Sequence, residues 1–190
     1  MAKHRYWANI IFADKKSLPA LIFQRMENFS SFISYGAVDR NATGTFLVHG
    51  DTLQLKSDKL AGKDFTIKNQ SKQKSGYNIQ FEDDNKYLIK DILCVFFVNG
   101  IQKELYSDSE GKVYADIPHC DRIYAQHPLF PDILTLVKDK NNDNNSFILT
   151  LNPSLAEVSF KGINFKIEDD KKLICLPNYF MDMEKIEFIK

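Results

Sequence analysis

The chain has 190 residues, with Lys+Arg and Asp+Glu balanced at 25 each and 44% of residues hydrophobic. That length makes one compact domain or two small ones. The apolar content supplies a core and excludes disorder of the whole chain, and the zero net charge excludes a nucleic-acid or polybasic membrane module.

No stretch reaches the ~18 consecutive apolar residues that a membrane helix needs. Near the start, Ile10 to Phe12 gives way at once to Asp14-Lys15-Lys16, which is no secretory core. Ser17 to Met26 reads about equally as helix, with Ser17 capping and Pro19 in the first turn, and as strand. From Phe29 onward the period is two. Phe29 to Tyr35 ends at Gly36. Thr45 to Val48 and Thr52 to Leu55 flank Gly50-Asp51, the pattern of a hairpin.

Phe65 to Ile67 and Tyr77 to Phe81 alternate apolar and polar, and the intervening Lys68 to Gly76 reads as a surface loop. Ile92 to Val98 is continuously apolar, the signature of a central strand buried on both faces. Asn99-Gly100 predicts a type I′ turn into Ile101 to Tyr106, and a second turn follows at Asp108 to Gly111. Lys112 to Ile117, Ile123 to Ala125, Ile133 to Val137 and Phe147 to Leu151 continue the rhythm, with a solvated turn at Asp139 to Asn145. Val158 to Phe160, Asn164 to Ile167 and Leu173 to Leu176 close the chain. Around a dozen short strands at this spacing predict an all-β fold, an antiparallel β-sandwich or barrel, in two small packed subdomains with little helix. The expected division is an N-terminal β unit over 1–70, an immunoglobulin- or transthyretin-like sandwich over 77–152, and a C-terminal hairpin over 153–190 that closes one of the two.

Gly44-Thr45-Phe46-Leu47-Val48-His49-Gly50-Asp51-Thr52-Leu53-Gln54-Leu55-Lys56-Ser57 resembles the GTY-x(3)-GDTL-x-L-x-S hairpin of small exported proteins and lipoproteins of Bacteroidetes. Phe165 to Ile174 looks like the matching terminal hairpin. Val98-Asn99-Gly100 with Tyr106 to Val113 is similar to transthyretin-like and carboxypeptidase-regulatory-like sandwich domains. The resemblance implies an envelope-associated, non-enzymatic β protein and brings no catalytic residues. Taken as it stands the chain stays in the cytoplasm; a removed signal would place it in the periplasm or at the outer membrane.

The sequence holds few groups patterned for chemistry. His119-Cys120-Asp121 with His127 is the only cluster of metal-ligand types, and its spacing matches no zinc motif. There is no CxxC pair, no GxSxG elbow and no glycine-rich phosphate loop. Cys94 reads as a buried small hydrophobe, and Cys120 and Cys175 could pair only if the fold brought them together. Asp83-Asp84, Asp116 and Asp169-Asp170 read as solvated turn acids. Asp139 to Asn145 lacks the order and closing glutamate of a calcium loop. Asn28, Asn41, Asn69 and Asn144 head N-x-S/T triplets of the kind chance supplies.

The expectation is therefore a non-enzymatic binding or structural module without cofactor or metal, whose partner is another protein. An immunity protein neutralising a bacterial toxin is one alternative; a lipocalin-like carrier or a hydrolase is the other. Ile123 to Pro131 is unusually apolar for a connection. Either Leu129 and Phe130 plug one end of the sandwich, or the prolines present Tyr124, His127 and Phe130 outward to that partner.

Overall fold

The computed structural model describes residues 10–14, 20–24, 27–35, 38–178 and 186–190. Their regular structure is all β, apart from short 3-10 turns at Lys86–Leu88 and Pro153–Ala156. The strands are β1 (Ile10–Asp14), β2 (Ala20–Phe23), β3 (Asn28–Tyr35), β4 (Val38–His49), β5 (Thr52–Ser57), β6 (Phe65–Ser71), β7 (Tyr77–Glu82) and β8 (Leu93–Val98). They continue as β9 (Ile101–Tyr106), β10 (Lys112–Ala115), β11 (Arg122–Gln126), β12 (Thr135–Lys138), β13 (Ser146–Leu151), β14 (Lys161–Ile167), β15 (Lys172–Cys175) and β16 (Glu187–Ile189). Of the ambiguous segment Ser17 to Met26, 20–23 is strand; 17–19 and 25–26 lie outside the described residues.

The chain divides into two compact units, 1–60 with 156–190, and 61–155. In the first, β1 to β5 and β14 to β16 form an antiparallel barrel, closed where β1 pairs with β16 through Ala13↔Ile189 and Asp14↔Phe188. Alternate residues point inward: Leu53 and Leu55 on β5, Ile163, Phe165 and Ile167 on β14. Aromatic rings fill the axis. Phe23 meets Phe46 edge-on at 5.0 Å, and Phe165 meets Phe188 at 5.6 Å.

The second unit is a sandwich of two four-stranded sheets, β10-β7-β13-β6 and β12-β11-β8-β9. Their inner faces share one core, with Ile79, Phe81, Phe147 and Leu149 from one sheet and Cys94, Phe96, Ile123 and Ala125 from the other. The pairing is antiparallel except between β7 and β13, which run parallel.

The sandwich is inserted between two neighbouring barrel strands. In the barrel, Lys56 pairs with Lys161, and Ser57 N–H donates to Phe160 O at 3.1 Å. In the sandwich, Phe65 pairs with Leu151, and Asn152 N–H donates to Asp64 O at 2.9 Å. The chain thus leaves and re-enters each unit at adjacent points. Strand β6, placed within 1–70 by the sequence reading, pairs with β13 in the second unit, while the C-terminal strands complete the barrel.

One local expectation needs correction. Lys68 to Ser71 is not loop but the outer part of β6. Its side chains are all exposed, so no apolar alternation marks it, and backbone pairing to β13 alone makes it strand. Asn145 holds the loop beyond: its side chain accepts from Gln73 N–H and donates to Gly76 O.

Asn99 and Gly100 sit at φ 51° and 81°, both positive as a type I′ turn requires. A Cβ at Gly100 would meet nothing within 4 Å, so only backbone strain opposes substitution there. Gly100→Val should cost about 1–2 kcal/mol in denaturant unfolding, and an unchanged midpoint would refute the turn assignment. Residues 61–155 expressed alone should give a dispersed amide NMR spectrum, because their core and both ends are internally paired; a collapsed spectrum would show the unit to depend on the barrel.

Candidate functional site

The acids and amides of the turns are occupied by the backbone. Asp83 accepts from Asn85 N–H, Asp139 from Asn141 N–H and Asp169 from Lys171 N–H. Such Asx turns hold the chain in register and leave these carboxylates solvated.

The histidines do not converge. His119 precedes β11 and His127 follows it, so a five-residue strand, about 17 Å at 3.4 Å per residue, separates them. His119 Nε2 lies 3.0 Å from Asp121 Oδ1, whose other oxygen accepts from Asn99 N–H at 2.9 Å. Those two hydrogen bonds hold the Asp121 carboxyl below the usual carboxylate range. Asp121 thereby anchors the β8–β9 turn. Among the described residues, no three His, Cys, Asp or Glu side chains are grouped to hold a metal ion.

All three cysteines are free and buried. Cys120 lies in the sandwich and Cys175 in the barrel. Burial pushes the thiols up, that of Cys175 to about 11, which is the wrong direction for a nucleophile at neutral pH. Cys120 Sγ donates instead to the carbonyls of Phe97 and Arg122, and its N–H donates to Tyr77 Oη at 3.1 Å.

His127 does not face outward. It is 1% exposed, and its two nitrogens brace two loops. Nε2 lies 2.9 Å from Leu88 O, an acceptor, so it carries the proton. Nδ1 lies 3.2 Å from Leu129 N, a donor, so it is bare. Only the neutral ring satisfies both. Phe130, half-buried, covers it with ring centres 5.2 Å apart. Of the two residues expected to plug the sandwich, Phe130 packs on His127 just beyond β11 and Leu129 stays exposed.

What remains open is a surface. Among the three residues expected to be presented, Tyr124 faces out from the β12-β11-β8-β9 sheet, half-buried, its ring edge-on to Phe97 at 5.8 Å. Directly opposite it across the β11–β12 ladder is Leu136, 47% exposed. The same face carries Leu93, Val95 and Phe97 of β8, with Tyr106 on β9 beside Leu93. Arg122, Gln126, Gln102 and Glu104 surround them. The β11–β12 connection adds exposed Leu129, Ile133 and Leu134, and Gln126 Nε2 ties it to the sheet through Asp132 O.

The outer face of the other sheet is different in kind. It presents Asn78, Gln80 and Glu82 from β7, Ser146, Ile148 and Thr150 from β13, Thr66 and Lys68 from β6, and Lys112 with the exposed Tyr114 from β10, with a Lys68–Glu82 ion pair at 2.7 Å. One sandwich thus has a back that is polar but for Ile148 and Tyr114, and a front on which Leu93, Val95, Phe97, Tyr106, Tyr124 and Leu136 lie together. The sequence does contain the signal for the front: Ile92 to Val98 is apolar on both sides of the strand. Its outward residues lie under neighbouring side chains, since Val95 is 3% exposed.

Burial lowers the affinity of His127 for a proton below its ordinary value. The unfolded chain takes up that proton from about pH 6.5 downward. The stability held by neutral His127 is therefore full above that pH and is lost as pH falls toward the depressed folded value. His127→Gln should lower Tm at pH 7.5, with a gap to the wild type that narrows by pH 5. A gap independent of pH would refute the assignment.

Compared with known proteins, the chain matches no family model, no curated protein and no solved structure.

Proposed function

We propose that this protein is a non-enzymatic protein-binding module that docks its partner on the outer face of the β12-β11-β8-β9 sheet. The supporting observation is the asymmetry of the sandwich. Its two outer faces are built by the same fold, yet one is polar apart from Ile148 and Tyr114, and the other carries Tyr124, Phe97, Leu136 and Tyr106 beside Arg122. Aromatic residues and arginine are what interface centres are enriched in, and exposed clusters of large apolar side chains mark interaction sites. The groups that would serve catalysis are otherwise engaged: His127 braces loops, and the thiols are buried with raised pKa.

The carrier reading draws on the eight-stranded barrel, since barrels of this size either fill with side chains or hold one small ligand. Phe23, Phe29, Phe46, Phe165 and Phe188 turned into the axis favour the filled case.

The test is a pull-down with mass spectrometry from the native organism, comparing the wild type with a Tyr124→Ser/Leu136→Ser double variant. Both positions lie on the outer face, so melting should change little, while recovery of the partner should fall at least tenfold. Equal recovery by the two proteins would remove this face as the docking surface.

A further inference from the structure

A sandwich of two four-stranded sheets has four edge strands, each a row of backbone donors and acceptors able to pair with another chain. Three of them are shortened or broken in register here. Strands β10 and β12 are four residues long, β12 is further disrupted by a register shift at Ile123/Tyr124, and β6 opposes a shift at Ile148/Leu149. The fourth, β9, runs six residues in unbroken register with β8, from Val98↔Ile101 to Leu93↔Tyr106. It contains no proline, and all its residues except Leu105 are exposed.

The direction in which its backbone groups point follows from the register. Ser107 N–H donates to Ile92 O at 3.0 Å, just beyond the last pair of the ladder. On the other side of β8, Asp121 N–H donates to Phe97 O at 2.8 Å. Even-numbered residues of β8 therefore bond toward β9, and odd-numbered ones toward β11. Hydrogen-bonded and non-hydrogen-bonded pairs alternate along an antiparallel ladder. Ile101, Lys103 and Leu105 of β9 spend their N–H and C=O groups on β8, whereas those of Gln102, Glu104 and Tyr106 point away from it. Among the described residues no hydrogen bond reaches these outward groups.

We propose that β9 is a strand-acceptor edge, to which an extended segment of a partner protein adds by pairing with Gln102, Glu104 and Tyr106, with a cationic side chain opposite Glu104. This rests on the protein-binding reading and specifies how the partner attaches. The side chains of these three residues lie on the apolar face, so an added strand extends that face by one more row beside Tyr106. The charge requirement comes from Glu104, whose carboxylate accepts from Gln102 Nε2 at 2.6 Å on the outer face. A second copy of this chain is disfavoured as the occupant. In antiparallel self-pairing the register centred on the strand sets Gln102 against Tyr106 and Glu104 against Glu104, and like charges directly opposite each other destabilise a ladder.

The test uses the full chain and two blocked seven-residue peptides of alternating threonine and valine, one with lysine at its centre and one with glutamate. Amide NMR titration should place both on residues 101–106, the lysine peptide binding roughly three- to tenfold more tightly at low salt. Exchange at the Gln102, Glu104 and Tyr106 amides should slow on binding. Glu104→Lys should invert the preference between the peptides. Glu104→Pro removes the carboxylate together with an N–H that faces the incoming strand, at a position where an edge tolerates proline, and should abolish binding of both, including the glutamate peptide that does not depend on the carboxylate. Unchanged shifts at 101–106 with millimolar peptide, or a preference that survives Glu104→Lys, would overturn the proposal. Should the peptides fail while a partner still binds through Tyr124 and Leu136, strand addition is refuted and the docking face stands. Peptides that bind as described, alongside a partner indifferent to Tyr124→Ser/Leu136→Ser, would support the edge and refute the face.

Discussion

Everything in this chain depends on bringing β5 and β14 together. Their ladder sets Lys56 beside Lys161 and Thr52 beside Lys166, more than a hundred residues apart in sequence, and without it the barrel is an open sheet. Closing so long a loop from a disordered chain costs about 4 kcal/mol in entropy. A folded sandwich meets that cost, because Phe65 pairs with Leu151 and Asn152 bonds to Asp64 at its own base. A folded sandwich presents the two barrel strands with starting points already side by side. The other barrel pairings are mostly local: β1 to β5 is a run of neighbours in sequence, and so is β14 to β16.

This division explains what was legible in the sequence. Hairpins are local, and their signals are local. Asn99-Gly100 names its own turn, Gly50 at φ 63° sits between β4 and β5 as its spacing implies, and period two marks strands such as β5 and β7 residue by residue. Which hairpin belongs to which sheet is decided by contacts across the insertion, and no residue type encodes that. Strand β6 shows the limit most clearly. Beyond Phe65 its side chains touch no core, so Lys68-Asn69-Gln70-Ser71 has the composition of a loop and the backbone of a strand.

The candidate site was partly legible for a related reason. The apolar connection at Ile123 to Pro131 points to β11, and Tyr124 lies on the outer face of its sheet. The outward place expected of His127 fails because sequence carries no hint of the two backbone partners, Leu88 O and Leu129 N–H, that claim its nitrogens. Those partners come from separate loops and meet only after folding. From sequence Leu136 is only part of a strand, because its exposure depends on the bulged pairing of β12, where Val137 and Lys138 are both buried.

The three thiols have a consequence beyond their inertness. Cys94 and Cys120 sit in the core of the sandwich, and Cys175 in that of the barrel. With burial holding each in the protonated form and away from solvent, alkylating reagents find them only when the surrounding core opens. The chain therefore carries its own built-in probes, two in one unit and one in the other. The order in which they gain a label on warming would tell which of the two cores gives way first.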